Sequence, residues 1–172
     1  MGPIDGQRQE RLHRKTIRLP APTYNEPGLR ALITMATADR QPTFADVNLA
    51  KDCVDLLRSY AVHHSVAVLG YCLMPDHMHL LLRVDGETGI VDFVRIYKSA
   101  TTRRWWQSGA SGQLWQRSFH DHLLRDREEE TEYLTYILMN PVRAGLADAW
   151  EHYSYSGSFA YDLVDWTYWS SD

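Results

Sequence analysis

The sequence predicts a single α+β domain built on an antiparallel sheet, and three observations lead to this fold class. The chain has 172 residues, 44% hydrophobic and 23% charged, a balance typical of one globular domain. Short apolar runs with strand character alternate with longer segments whose apolar residues recur at three- and four-residue steps. Together these elements follow the order strand, helix, strand, strand, helix, strand, helix, without an internal repeat.

The first half of the chain provides three strands and one helix. Leu29 to Ala36 has strand character. From Asp46, a suitable N-cap, apolar residues recur at helical spacing, which predicts an amphipathic helix that ends near His63. Two apolar runs, Ser65 to Met74 and His77 to Val84, are broken by a Pro-Asp pair and predict adjacent strands joined by a turn.

The second half adds two helices and one strand. We predict a helix from Ile90 to Gln107, a strand from Leu114 to Arg125 and a final helix from Glu128 to Asn140. The complete order fits a split βαβ, ferredoxin-like arrangement, with helices packed on an antiparallel sheet. The chain is therefore divided into an N-terminal basic arm (1–28), the main domain (29–146) and an acidic, aromatic C-terminal extension of that domain (147–172).

The charge distribution bears on the class of partner. A formal net charge of −4 argues at first against nucleic acid. The acidity is concentrated at the end, because five acidic and no basic residues follow Arg143. Between Arg95 and Arg127, seven basic residues stand against two acidic ones, interleaved with aromatic side chains. Such a stretch can follow a single nucleic-acid strand, although a solvated helix face with core aromatics explains it at least as well.

The cellular location and the cysteines follow from composition. No apolar run approaches the roughly 18 residues that a membrane span needs, and the N-terminus lacks the apolar core of a signal peptide. We therefore expect a cytoplasmic protein with no membrane partner. Cys53 and Cys72 lie in apolar segments without metal-binding spacing, so both are expected to be buried free thiols.

A pair of histidines in the second apolar run is the strongest chemical signal. Side chains alternate between the faces of a strand, so His77 and His79 point to one side while Met78, Leu80 and Leu82 point into the core. Two imidazoles at this spacing can ligate one metal ion. Alone, the pair is more readily structural or exposed. Its apolar neighbours favour a functional role, because an unpartnered polar pair would be costly to bury.

The final predicted helix carries a second candidate group. Tyr133, Tyr136 and Asn140 are three and four residues apart, so they share one helix face. A tyrosine needs a metal or a base nearby to act as a nucleophile, because its pKa is ordinarily about 10. By itself, this segment fits core tyrosines and an asparagine that closes the helix before Pro141.

Taken in order, the two segments resemble the HUH single-tyrosine transposases, and more closely the REP-associated tyrosine transposases of bacteria. The resemblance covers about 14–146 and depends on the order and spacing of several motifs. These are Met-Pro-Asp-His-Met-His-Leu-Leu from Met74, Tyr136 five residues before Pro141, Arg18-Leu19-Pro20, Lys98-Ser99-Ala100-Thr101-Thr102-Arg103, and Leu114-Trp115-Gln116-Arg117-Ser118-Phe119.

This resemblance implies a nuclease in which His77, His79 and Asn140 hold Mg²⁺ or Mn²⁺ and Tyr136 is the nucleophile. Its products would be a 5′-phosphotyrosine link and a free 3′-hydroxyl, and a second 3′-hydroxyl would reverse the step and join strands. The implied partner is single-stranded DNA beside hairpin, REP-like elements of the nucleoid, and relatives act as monomers or as homodimers. The expected DNA contacts are Lys98, Thr102, Arg103, Arg104, Trp115 and Arg117.

Several alternatives stay open at this point. His120 and His122 form a second pair with the same alternation, ranked below the first as a metal site. Asp76 is either a base or, as we favour, a turn residue after Pro75. The aromatic extension either packs as a further core layer, which we favour, or covers the active site.

The rival functions are a non-catalytic nucleic-acid binder, a domesticated family member and a replication or conjugation initiator. The first lacks the aromatic strand motif of RNA-recognition modules, and the last lacks a helicase-like extension. The target DNA, the preferred metal, the oligomeric state and mobility are not encoded in any recognisable pattern.

Overall fold

The structure of the protein is a computed structural model that describes residues 24–124 and 127–164. Most of the expected N-terminal arm and the end of the C-terminal extension lie outside these ranges. The strands are β1 (Arg30–Ala36), β2 (Val66–Met74), β3 (His77–Val84), β4 (His120–Leu123) and β5 (Ser156–Gly157). The helices are α1 (Val47–His64), α2 (Ile90–Gln107), α3 (Arg127–Leu138) and α4 (Asn140–Arg143).

The strands form one antiparallel sheet, in the order β4-β1-β3-β2-β5. Strand β3 lies between β1 and β2, which is the split βαβ arrangement that the order of elements predicts. The predicted α+β fold is confirmed. Asp46 is the N-cap of α1, as predicted, and its carboxylate accepts hydrogen bonds from the backbone N–H groups of Asn48 and Leu49.

Helices cover both faces of the sheet. On one face, α1 and α2 pack on Met78, Leu80 and Leu82 of β3. On the other face, α3 packs on Leu81 and on apolar residues of β1 and β2. Alternate residues of β3 thus serve opposite cores, since successive side chains of a strand point to opposite faces.

The predicted strand from Leu114 to Arg125 is wrong in extent, because only β4 is a continuous strand in this region. Trp115 forms an isolated bridge to Thr37, and His120 pairs with Thr34. Trp115 and His120 are five positions apart, but their partners Thr37 and Thr34 are only three positions apart. The surplus residues bulge out and interrupt the ladder.

The predicted helix from Glu128 to Asn140 is also wrong at its end. Helix α3 ends at Leu138, and the separate turn of α4 begins at Asn140. Pro141 has no backbone N–H, so the carbonyl of Ile137 cannot receive its helical hydrogen bond and the first helix stops. The helical hydrogen bonding is therefore interrupted in the turn that follows the candidate nucleophile, Tyr136.

The described part of the C-terminal extension packs against the domain. Strand β5 pairs with Tyr71 and Cys72 of β2, and the Tyr153 hydroxyl donates a hydrogen bond to the Leu73 carbonyl at 2.8 Å. Further aromatic residues lie on either side of this edge: Trp150 and Tyr161 with the α3 core, and Tyr155 and Phe159 with the α1–α2 core. This agrees with the interpretation of the extension as an additional core layer.

Cys53 and Cys72 are buried free thiols, as predicted, and burial raises the pKa of each to about 12. Neither thiol is available as a thiolate near neutral pH. Within 24–124 and 127–164, no helix has the length and apolar character needed to cross a bilayer.

Gly70 allows α3 to approach the sheet closely. It lies in β2 directly after an irregularity in the pairing with β3, on the face that α3 covers. A Cβ atom at this position would lie 2.5 Å from Cδ1 of Leu134, a residue of α3 with no exposed surface. The absence of a side chain at position 70 therefore sets the distance between α3 and the sheet.

We expect Gly70→Ala to lower the free energy of unfolding by about 1–3 kcal/mol, the usual cost of overpacking a core. Chemical denaturation measures this loss. The double variant with Leu134→Ala should lose less than the sum of the two single variants, because the removed Cδ1 relieves the overlap. Strict additivity would show that Leu134 does not limit the approach of α3.

Candidate active site

The histidine pair lies at the start of β3, on the face of the sheet that α3 covers. His77 and His79 occupy alternate positions, as predicted, and their ring centroids are 4.9 Å apart at an interplanar angle of 87°. His77 is partly exposed, whereas His79 has only 6% of its surface exposed. His77 thus lies at the rim of the site, whereas His79 lies in the protein interior.

Each imidazole is held through its Nδ1 atom by a different neighbour. Thr34 of β1 makes a hydrogen bond through Oγ1 to Nδ1 of His79 at 2.9 Å. Asp76 accepts a hydrogen bond from Nδ1 of His77 at 2.5 Å, and Arg40 contacts the same carboxylate at 3.4 Å. Both Nε2 atoms are then the nitrogens that a metal would take, an arrangement common among metal-binding histidines.

Asp76 serves both the turn and the histidine. Its carbonyl accepts hydrogen bonds from the backbone N–H and the hydroxyl of Thr37, which tie the turn between β2 and β3 to the end of β1. Burial acts to raise the pKa of its carboxyl, but the hydrogen bond and charge of His77 and the charge of Arg40 together lower it. The turn interpretation is therefore incomplete, because the ionised side chain also orients His77.

The environment of His79 keeps its imidazole neutral. Burial, followed by electrostatic interactions with His77, Arg143 and Arg40, lowers its pKa from 6.5 to about 3. A histidine must be neutral to donate a nitrogen lone pair to a metal. No deprotonation is then required at His79 near neutral pH before a metal binds.

Tyr136 is the tyrosine that α3 brings to the histidine pair. Leu134, Ile137 and Leu138 are buried against the sheet, which leaves Tyr136 at the rim with 42% of its surface exposed. Its ring centroid is 5.6 Å from that of His79, at an interplanar angle of 78°. The other predicted helix-face tyrosine lies elsewhere: Tyr133 packs against His122 at 5.1 Å.

Asn140 and Arg143, which follow the break between α3 and α4, both contact Tyr136. The side-chain Nδ2 of Asn140 donates a hydrogen bond to the Tyr136 carbonyl at 3.2 Å, so its Oδ1 is the atom left for another ligand. Arg143 donates to the same carbonyl, and its guanidinium carbon lies 4.5 Å above the centre of the Tyr136 ring. Sequence reasoning missed Arg143, although a spacing of seven residues would place it two helical turns away on the same face.

The second histidine pair has other partners. His122 makes a hydrogen bond to Glu129 through Nε2, and Asp121 accepts a hydrogen bond from the Tyr24 hydroxyl at 2.5 Å. His120 is exposed at the edge strand. The structure thus gives this segment contacts that hold β4 to its neighbours, whereas the nucleophile candidate lies beside the first pair.

Most of the predicted DNA-contacting residues meet in one cleft of about 370 Å³, between α2 and the segment 112–117. Five of the six line it: Lys98, Thr102, Arg103, Trp115 and Arg117. Arg104 does not, because it forms an ion pair with Asp52 of α1 at 2.5 Å. Trp106, which sequence reasoning did not select, also lines the cleft and is 48% exposed.

Two of these residues build the cleft rather than face into it. Lys98 donates hydrogen bonds through Nζ to the carbonyls of Gln116 and Arg117, at 2.5 and 3.1 Å. Trp115 is buried, and its indole N–H donates to the Thr101 hydroxyl at 2.8 Å. Arg103, Arg117 and Trp106 are among the exposed residues that line the cleft.

Most of the part of the chain that forms this site matches a known protein family. The model of the family described as "Transposase IS200 like" matches residues 27–138, which include the histidine pair, the cleft and Tyr136. The chain belongs to the IS200-like transposase family. This confirms the family to which the motifs pointed, since the resemblance stated from the sequence is to single-tyrosine transposases.

Two curated relatives share parts of this transposase sequence. A Haemophilus influenzae protein described as a REP-associated tyrosine transposase is 29% identical over 116 residues, covering 59% of this chain and 63% of the relative. The ISDra2 transposase TnpA of Deinococcus radiodurans is 42% identical over 50 residues, covering 29% of this chain and 36% of the relative. The chain thus spans less than two thirds of the length of either relative.

Solved structures show the same fold. A REP-associated tyrosine transposase bound to a REP hairpin superposes with a TM-score of 0.64 at 17% identity, over 77% of this chain and 78% of that one. A transposase crystal structure from Deinococcus radiodurans gives a TM-score of 0.50 at 26% identity, over 64% of this chain and 92% of that one. The five-stranded sheet with packed helices is therefore the architecture of known Y1 transposase structures.

The buried neutral His79 predicts a specific loss of stability in acid. Below pH 6.5 the unfolded chain protonates this imidazole, whereas the folded chain does not until about pH 3. Stability therefore falls as the pH is lowered through this window, by up to about 1.4 kcal/mol per pH unit. Denaturation at pH 7 and pH 5 should show a smaller loss for His79→Gln than for the unchanged protein. The matched variant at exposed His63, His63→Gln, should retain the full loss, and equal losses in all three proteins would contradict this prediction.

Proposed function

We propose that the protein is a metal-dependent endonuclease and strand-transferase for single-stranded DNA. It would cut next to hairpin or repeat sequences through a 5′-phosphotyrosine intermediate. The observation that carries the proposal is the contact between the Tyr136 ring and His79, beside a second histidine whose Nδ1 is likewise held by a hydrogen bond. A tyrosine nucleophile needs a metal or a base nearby to react near neutral pH, and the two imidazoles would hold such a metal.

The residues at this place fit a divalent ion with a small protein donor set. Nε2 of His77, Nε2 of His79 and Oδ1 of Asn140 would hold Mg²⁺ or Mn²⁺, and waters or DNA oxygens would complete the coordination. Within the described ranges, no group of three or more His, Cys, Asp or Glu side chains is arranged to hold a metal. The amide of Asn140 is therefore essential to this assignment. Bound there, the ion would polarise the scissile phosphate and offset its charge.

The proposed chemistry is a transesterification with balanced bonds. The Tyr136 hydroxyl oxygen attacks the phosphorus, and a new P–O bond to tyrosine forms as the P–O3′ bond breaks. The phenol proton is released, and the departing 3′-oxygen takes up a proton. A second DNA 3′-hydroxyl can attack the phosphotyrosine and join strands without ATP, because the link preserves the phosphodiester energy.

The cleft next to α2 is the proposed track for single-stranded DNA. Arg103 and Arg117 would contact phosphates, and the exposed ring of Trp106 would offer a stacking surface for a base. Backbone contacts join the wall of this cleft to the histidine pair, since Trp115 bridges to Thr37, whose N–H donates to the Asp76 carbonyl at 2.9 Å. One solved structure of this fold is bound to a REP hairpin, and we extend hairpin recognition to this chain as part of the proposal.

The alternative is a protein of the same fold that binds nucleic acid without cutting it, or a domesticated member of the family. Such a protein would keep the basic cleft but form no covalent product. The exposed position of Tyr136 beside the histidines favours the catalytic proposal, because a tyrosine retained only for packing would be expected among the buried residues of α3.

The covalent step is tested with hairpin-bearing oligonucleotides from the genomic surroundings of the coding sequence, in Mg²⁺ or Mn²⁺. We expect a DNA adduct at Tyr136, detected on denaturing gels and by mass spectrometry. Tyr136→Phe and chelation should abolish it, while the matched variant Tyr133→Phe should form it normally because that ring lies against His122. DNA binding with no adduct under any of these conditions would favour the non-catalytic alternative.

The cleft is tested by the salt dependence of DNA binding. Arg103→Ala and Arg117→Ala should each weaken affinity and reduce the slope of log K against log salt by about 1, the signature of one lost phosphate contact. Arg95→Ala is the matched control, since Arg95 is an exposed residue of α2 that pairs with Asp92 at 2.9 Å. An unchanged slope in both cleft variants would place the DNA elsewhere on the protein.

A further inference from the structure

Arg143 makes two separate contacts with the candidate nucleophile. Its Nη2 donates a hydrogen bond to the backbone carbonyl of Tyr136, and its guanidinium carbon lies 4.5 Å above the centre of the Tyr136 ring. One contact fixes the arginine to the backbone of the nucleophile, and the other covers a face of its side chain. The guanidinium therefore contacts both the backbone and the side chain of Tyr136.

The ring of Tyr136 consequently has neighbours on two sides. His77 contacts His79 at 4.9 Å, His79 contacts Tyr136 at 5.6 Å, and Arg143 lies over the ring at 4.5 Å. These groups form a continuous row that begins at the proposed metal ligands and ends at a positive charge. An exposed tyrosine ordinarily samples several rotamers, and contacts on both sides restrict that freedom.

Helical spacing across the junction of α3 and α4 places Arg143 in this position. Pro141 interrupts the hydrogen bonding after Leu138, but the junction keeps helical backbone angles, so Arg143 lies two turns after Tyr136 on the same side. The carbonyls at the end of a helix have partial negative charge and lack intrahelical donors, so a cation is favourable there. On the opposite side of the histidine pair, Arg40 is bound to Asp76 at 3.4 Å. Each side of the site therefore has its own arginine.

We propose that Arg143 is a positioning residue for DNA cleavage, which holds the Tyr136 ring against His79 and keeps a positive charge over the ring as it becomes a phenolate. This inference deepens the proposed function and rests on it. A guanidinium can stack on the ring and donate to the carbonyl at once because it is planar with several N–H groups, whereas an ammonium is a compact charge without a stacking face.

The kinetic test measures single-turnover formation of the Tyr136 adduct. We expect Arg143→Ala to slow it roughly tenfold to hundredfold, with the Kd for DNA changed less than about threefold. Arg143→Lys should recover only part of the rate, and Arg95→Ala should leave it unchanged. Added methylguanidinium should restore rate to Arg143→Ala, whereas methylammonium should not. A rate unaffected by Arg143→Ala, or equal rescue by both cations, would overturn the proposal.

A second measurement does not depend on activity. With 3-fluorotyrosine incorporated only at position 136, the ¹⁹F resonance should move toward that of the free amino acid in Arg143→Ala and stay in place in Arg95→Ala. Thermal unfolding of each variant establishes that it is folded. An unmoved resonance in folded Arg143→Ala would overturn the positioning role even if DNA is cleaved. If the resonance moves as expected but the unchanged protein forms no adduct, the ring contact stands and the proposed nuclease function fails.

Discussion

The burial of β3 on both faces is the constraint on which the arrangement of the site depends. Its side chains alternate, so Met78 and Leu80 must enter the α1–α2 core while His77 and His79 must lie on the face of α3. A one-residue shift in register would exchange these sets and place imidazoles in an apolar core. The stability of the sheet and the location of the histidine pair are therefore set by the same contacts.

The position of the tyrosine depends on how α3 is fastened to the sheet. Near its centre, α3 lies close because Gly70 has no side chain to displace Leu134. Near its start, Glu130 forms an ion pair with Arg30 of β1 at 2.5 Å and accepts a hydrogen bond from the Tyr161 hydroxyl. Burial and the hydrogen bond to Glu130 raise the pKa of Tyr161 to about 12, so its hydroxyl remains a donor. These contacts set the distance between α3 and the sheet and the direction of α3, and so determine where Tyr136 lies.

Features with a local cause were predictable from sequence, whereas those with a distant cause were not. The alternation around His77, the N-cap at Asp46 and the order of elements follow from neighbouring residues, and the structure has them. The interruption before β4 depends on a mismatch in length with β1, which no pattern within 114–125 reveals. The contact of Thr34 with His79 likewise requires the register of two strands that are far apart in sequence. Arg143 is an exception, because its seven-residue spacing from Tyr136 is a local signal, yet its two contacts with that residue are visible only in the structure.

The histidines and the tyrosine that contact one another here belong to one polypeptide. In this arrangement a single molecule contains every group that the proposed reaction requires of the protein. Two defective chains, one without the phenol and the other without the imidazoles, would then not complement each other when produced in the same cell. If single chains carry out the proposed reaction, the activity of a mixed population would follow the proportion of intact gene copies.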